Sequence, residues 1–151
     1  MNALQALCQL ADARKANRHP NFPAKYIPKS KYSDRDANGL TTCVVDFLNL
    51  SGHFATRLAS TGTYRADIER YVPSQQRSGM PDVLAVVDGQ AVFIEVKAGK
   101  DRLSDRQKQT HHALENAGAL VYTARNFDAF YGWFLTHFTE NKKADVPTTP
   151  A

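Results

Sequence analysis

The sequence predicts an α/β domain, a mixed central β-sheet flanked by helices, in the order α-α-β-β-β-α-β-α. Three observations carry that expectation. Val83–Val87 and Ala91–Ile94 are β-rich runs on either side of Asp88-Gly89, the dipeptide favoured in two-residue hairpin turns. Ser104 followed three residues later by Gln107 is a capping box that opens a helix, Gly118 stops it, and a short apolar strand follows. The 151 residues are 42% hydrophobic and 23% charged, which fits one globular domain with its own core.

In chain order, Leu4, Leu7, Cys8 and Ala11 recur at helical spacing, so Ala3–Asn17 is expected to be an amphipathic helix. Arg18–Lys31 holds Pro20, Pro23 and Pro28 with Phe22 and Tyr26, and Tyr32 follows: an extended, basic, aromatic-bearing loop. Asp36–Leu50 carries Val44, Val45, Phe47, Leu48 and Leu50 and reads as a helix ending near Gly52. Tyr64, Ile68, Tyr71 and Val72 suggest one or two strands before the loop Pro73–Gly79. After the hairpin, a helix from Ser104 to about Ala117 leads to a strand over Ala119–Thr123. Asn126 is placed to cap a last helix, Phe127–Phe138, and Asn141–Ala151 reads as a frayed tail. The expected divisions are a basic helix and arm over 1–40, a domain over 41–140 and a tail over 141–151.

Residues 1–40 hold seven Lys/Arg against three acids, a surplus equal to the whole net charge of +4. A basic arm on a nearly neutral body suits a polyanion such as nucleic acid, with Lys25, Lys29 and Lys31 as phosphate contacts. The bland alternative is a solvated charged surface. No apolar run reaches the roughly 18 residues that cross a bilayer, so no membrane partner is expected. Met1–Lys15 does not read as a secretory signal. Cys8 and Cys43 form no metal or disulfide pattern, and a reducing cytoplasm is the expected compartment.

The chemistry is expected at the end of the hairpin. A regular Asp88-Gly89 turn pairs Val87 with Gln90, and continuing that register sets Asp82 opposite Glu95. Directly opposed carboxylates lie about 4.5–5.5 Å apart at Cβ and repel. A divalent cation removes the repulsion, and hard oxygen ligands are what Mg²⁺ prefers. Lys97 leaves the strand on the face of Glu95, and the Val96 carbonyl is a further oxygen donor. The plain alternative for Glu95 and Lys97 is a strand-end ion pair worth about 0–1 kcal/mol.

Ser78-Gly79-Met80-Pro81-Asp82 followed by Ile94-Glu95-Val96-Lys97 resembles the PD-(D/E)xK nuclease superfamily, and within it the VRR-NUC domains and archaeal Holliday junction resolvases. Gly52–Arg57 with Ser60-Thr61-Gly62, and Leu103-Ser104-x-x-Gln107 with Gly118, are similar to segments of that branch. The resemblance spans roughly Asp46 to Thr123. It implies a restriction-endonuclease-like core and a Mg²⁺-dependent DNA endonuclease, with Mn²⁺ able to substitute. Asp82, Glu95 and the Val96 carbonyl would then hold the metal, Asp46 would complete the site, and Lys97 would orient the attacking water. Asp46 stands where such proteins more often carry Glu, and a surface acid is its alternative. Gln107 would reach the site, with a simple capping role equally open. The resolvase branch implies a homodimer acting on branched DNA. Competing expectations are a nonspecific or restriction-like nicking nuclease on duplex DNA, a non-catalytic nucleic-acid-binding module, and an interaction domain with a coincidental motif.

Lys100, Arg102 and Arg106 flank this site as candidate phosphate contacts, with ion pairs to Asp101 and Asp105 as the alternative. Arg57, with His53 four residues before it, is a further candidate contact, or a surface pair. His111-His112 are expected at the surface or facing DNA. Trp133 with Phe130, Phe134 and Phe138 is expected in the core or at a dimer interface.

Overall fold

The computed structural model describes residues 1–59 and 61–144. Four helices, α1 (Ala3–Arg18), α2 (Ala37–Leu50), α3 (Asp105–Asn116) and α4 (Phe127–Ala144), accompany six strands: β1 (Phe54–Arg57), β2 (Thr63–Arg65), β3 (Arg70–Val72), β4 (Val83–Val87), β5 (Gln90–Val96) and β6 (Leu120–Ala124). The central sheet has the order β1-β4-β5-β6, antiparallel except for the parallel β5–β6 pair that α3 connects. It is the mixed, helix-flanked sheet of a restriction-endonuclease-like fold.

The hairpin register is the expected one, Val87↔Gln90 through Val83↔Ile94. Asp88 (φ 50°) and Gly89 (φ 79°) both take the left-handed conformation of a type I′ turn, whose twist matches the flanking strands. Ser104 and Gln107 form the capping box of α3, and the Asn126 side chain accepts the Ala129 N–H at the start of α4.

Two expectations are corrected. Phe54–Arg57 is a strand, added to the sheet edge by pairing with β4; four residues are too short for a periodic signal. Of the one or two strands expected before Pro73 there are two, and they form a separate hairpin over Thr63–Val72 that stands apart from the main sheet, with Tyr64 and Tyr71 directly opposed and exposed. The last helix runs to Ala144, past the predicted Phe138, so 141–144, expected in a tail, are helical; residues 145–151, the rest of that expected tail, lie outside the described residues.

The faces of the sheet differ. Val83, Ala85, Val87, Val92, Ile94 and Val96 point into one core with Leu7 of α1, Leu40, Val44 and Phe47 of α2, and Phe127 and Phe130 of α4. The alternate positions of β5 face α3. The first forty residues share that core: Leu7 is fully buried, Asp128 accepts the Ala3 N–H, and Asp34 accepts the Phe127 N–H. The Trp133 region is likewise core, with Trp133 stacked on Tyr122 at 4.2 Å between centroids. No helix among the described residues is long and apolar enough to cross a membrane.

Candidate active site

The site lies where the β4–β5 ladder stops. Pro81 has no N–H to extend the pairing, and the Val96 N–H instead donates to Asp82 Oδ2 at 2.8 Å. Pro81 is fully buried, and the loop before it docks on α3, where the Thr110 hydroxyl donates to the Ser78 carbonyl at 3.0 Å. Gly79 (φ 79°) permits the docking: a Cβ there would meet the Arg106 carbonyl oxygen at 2.7 Å and Thr110 Oγ1 at 2.8 Å. Asp82 is thereby fixed beside Glu95 from two directions.

Glu95 is 1% exposed, and α3 supplies two of its side-chain partners. Gln107 Nε2 donates to Oε1 at 3.3 Å, and His111 Nε2 lies 3.1 Å from Oε2 with one proton between them. Burial, then the hydrogen bond and charge of Asp82, push the Glu95 carboxyl up to about 8, against the opposing pull of Lys97. Burial holds His111 below its ordinary value. Burial therefore favours a neutral hydrogen bond over an ion pair, since it disfavours both charged forms.

Gln107 does both things expected of it, because its Oε1 accepts the Ser104 N–H at 2.9 Å while its amide nitrogen reaches Glu95. His111 corrects an expectation: it is 7% exposed and bonded to Glu95, not at the surface. A signal was present, since Gln107, Thr110 and His111 fall at i, i+3 and i+4 and share one face of the helix.

Asp46 is not brought to this site. Arg57, opposite Val83, bonds Asn38 and Thr42, so the start of α2 adjoins the Asp82 end of the sheet. Asp46 is eight residues beyond Asn38, about 12 Å along the axis, and its carboxylate accepts the Tyr32 hydroxyl at 2.8 Å. Among the described residues no third His, Cys, Asp or Glu completes a ligand group. Arg57 stands near the site, but both its terminal nitrogens are engaged by Asn38 and Thr42. His53 instead packs edge-on against Phe134. Lys100 and Arg102, in the loop after β5, and Arg106, in the first turn of α3, are exposed, and none is ion-paired among the described residues. Lys25, Lys29 and Lys31 sit on the other layer: Lys29 is 3.9 Å from Asp12 of α1, and the Ser30 N–H donates to the same carboxylate.

A mixed sheet with Pro-Asp ending one strand of a hairpin and Glu-x-Lys ending the next, covered by a helix that buttresses the Glu, defines a PD-(D/E)xK-like nuclease domain. Residues 54–128 match the family model of the VRR-NUC domain, and over that segment the chain belongs to this family. Its activity class is that of a nuclease acting on DNA. The match begins after Asp46 and ends at the start of α4. No curated protein matches the chain.

Proposed function

We propose that the protein is a Mg²⁺-dependent endonuclease that hydrolyses phosphodiester bonds in DNA, with Mn²⁺ as an alternative metal. The observation that carries the reading is the half-buried Asp82 beside the buried Glu95, whose proximity makes ionisation of Glu95 costly without a compensating cation. The donor set fits a hard divalent ion: Asp82, Glu95 and the Val96 carbonyl would hold it. When bound, such an ion supplies Lewis acidity toward water and neutralises phosphoryl oxygens. Lys97, whose charge already acts on Glu95 and His111, orients the attacking water and stabilises charge gathering on the scissile phosphate. Gln107 and His111 hold Glu95 in one rotamer, so the site is ordered before substrate arrives. Lys100, Arg102 and Arg106 form the cationic border that receives the DNA backbone.

The substrate we propose is branched DNA, cut by a homodimer whose two sites nick strands of opposite polarity; this rests on the likeness to the resolvase branch. The test is cleavage of a labelled four-way junction beside a linear duplex of the same arms, in Mg²⁺ and in EDTA. Paired nicks confined to the junction, abolished by EDTA and lowered about 10²–10³-fold in Lys97→Ala, are expected. Equal cutting of duplex and junction refutes the branched substrate alone. Cutting that survives EDTA, or that Lys97→Ala retains, refutes the site.

A further inference from the structure

We propose that the N-terminal arm and the C-terminal half of α1 form a second DNA subsite, one that takes unpaired nucleotides of the substrate away from the point of cleavage. Phe22 and Tyr26 are 53% and 63% exposed, whereas Phe47, Phe127, Phe130 and Phe134 are buried. They meet edge to face at 6.3 Å and, with His19, Ile27 and Pro28, line a hollow of about 390 Å³. A second hollow of about 210 Å³, bordered by Arg14 and Arg18, adjoins it through the shared Lys15. Lys25 Nζ lies 4.9 Å over the Tyr26 ring.

This shape is built into the fold. The Lys15 ammonium donates to the Pro28 carbonyl at 2.9 Å, the Ser30 N–H donates to Asp12 at 2.7 Å, and a short 3₁₀ turn over Ala24–Tyr26 presents the Tyr26 ring. The carboxylates in reach are already engaged, Asp12 by Ser30, Lys15 and Lys29, and Asp46 by Tyr32. Arg14 and Arg18, one helical turn apart, are ion-paired with no carboxylate among the described residues.

Aromatic faces beside a row of cations are what single-stranded nucleic acid requires: bases stack on the rings and phosphates follow the charges. A duplex offers only phosphates, because its base faces are hidden in the stack. The whole charge excess of the chain falls in this quarter, which favours a polyanion over a protein partner. The subsite lies on the α1 layer, across the sheet from Asp82 and Glu95, so it engages a different stretch of DNA from the one cut.

The inference rests on the DNA reading of the protein but not on catalysis, and the test is run in EDTA. The full chain is titrated, by fluorescence anisotropy, into labelled oligo(dT) of about 20 nucleotides, longer than the ~4–16 that one domain typically tracks, and into a duplex of equal length. Phe22→Ala and Tyr26→Ala, both at exposed positions, are each expected to weaken oligo(dT) binding about ten-fold and leave duplex binding unchanged. Arg14→Gln is expected to lower the salt slope for oligo(dT) by about one. Unchanged oligo(dT) binding in both ring variants, or equal loss on both probes, overturns the proposal. So does a shift from dimer to monomer on ring truncation, which would assign the hollow to a second copy. A chain that binds oligo(dT) through these rings yet never cuts breaks the nuclease reading and leaves this one standing.

Discussion

The two faces of the central sheet follow opposite rules. Against α1, α2 and α4 the buried neighbours of the sheet are apolar, with Phe47 packed edge-on to Phe127, Phe130 and Phe134. Against α3 the sheet buries Glu95, Thr110 and His111, three of the four buried polar side chains among the described residues. Apolar burial contributes about 25 cal/mol per Å² without directional demands, whereas a buried carboxylate is tolerable only with partners in place. One layer holds the domain together, and the other spends part of that stability on a site.

Separating the two roles by mutation is the strongest way to break the contrast. Phe130 is fully buried among Phe47, Tyr122, Phe127 and Trp133, so Phe130→Ala is expected to cost about 3–5 kcal/mol in chemical denaturation. The fraction that stays folded should cut with the wild-type rate. A rate that collapses in folded protein would show that the layers are coupled.

The α3 side predicts a pH dependence of opposite sign to that of most carboxylates. Burial and the neighbouring Asp82 push the Glu95 carboxyl up to about 8 from an ordinary value of 4.5, so between those values the folded state keeps a proton that the unfolded chain has released. The unfolded state binds fewer protons there, and stability in EDTA falls as pH rises from about 4.5 to about 8. Glu95→Gln should remove the slope. Added Mg²⁺ should flatten it, by binding the ionised pair in the folded state. A slope that persists in Glu95→Gln belongs to another group.

Legibility in the sequence divides along the same line. The β4–β5 hairpin was readable because Asp88-Gly89 dictates a type I′ turn and a fixed register, so the approach of Asp82 to Glu95 followed from counting. The capping box was readable because both its bonds are local. Tertiary placement was not. β1 exists because β4 offers it an edge, and Asp46 misses the site because distance along α2, not helical face alone, decides what it reaches. His111 was lost since its partner lies sixteen residues away on another element.

Gly79 tests how the two acids are brought together. Its left-handed φ and the 2.7 Å approach to the Arg106 carbonyl oxygen both oppose a side chain. Gly79→Ala is expected to cost about 1–3 kcal/mol and to lower cutting, because relief of the clash displaces Pro81 and Asp82. Gly89→Ala is the control: its φ is also 79° but the space is open, so about 1 kcal/mol and normal cutting are expected. Equal cutting by both variants would mean that the Ser78–Gly79 contact with α3 does not position Asp82.

The smallest effect sharpens the contrast most, because it compares one kind of bond on the two layers. The Asp36 side chain accepts the Gly39 N–H to cap α2, and Ser104 accepts the Gln107 N–H to cap α3. Replacing either by Ala removes one cap and should cost about 1 kcal/mol. Their effects on cutting should differ. Asp36 touches neither Glu95 nor the side chains that hold it, so Asp36→Ala should leave the rate unchanged once folding is complete. Ser104→Ala loosens the turn that steers Gln107, whose two ends hold the Ser104 N–H and Glu95 Oε1, so the rate should fall several-fold at unchanged fold. Measuring both variants at one temperature, well below either transition, separates the cap from the site. Equal rates would reduce Gln107 to a capping residue and leave His111 as the side chain that orients Glu95.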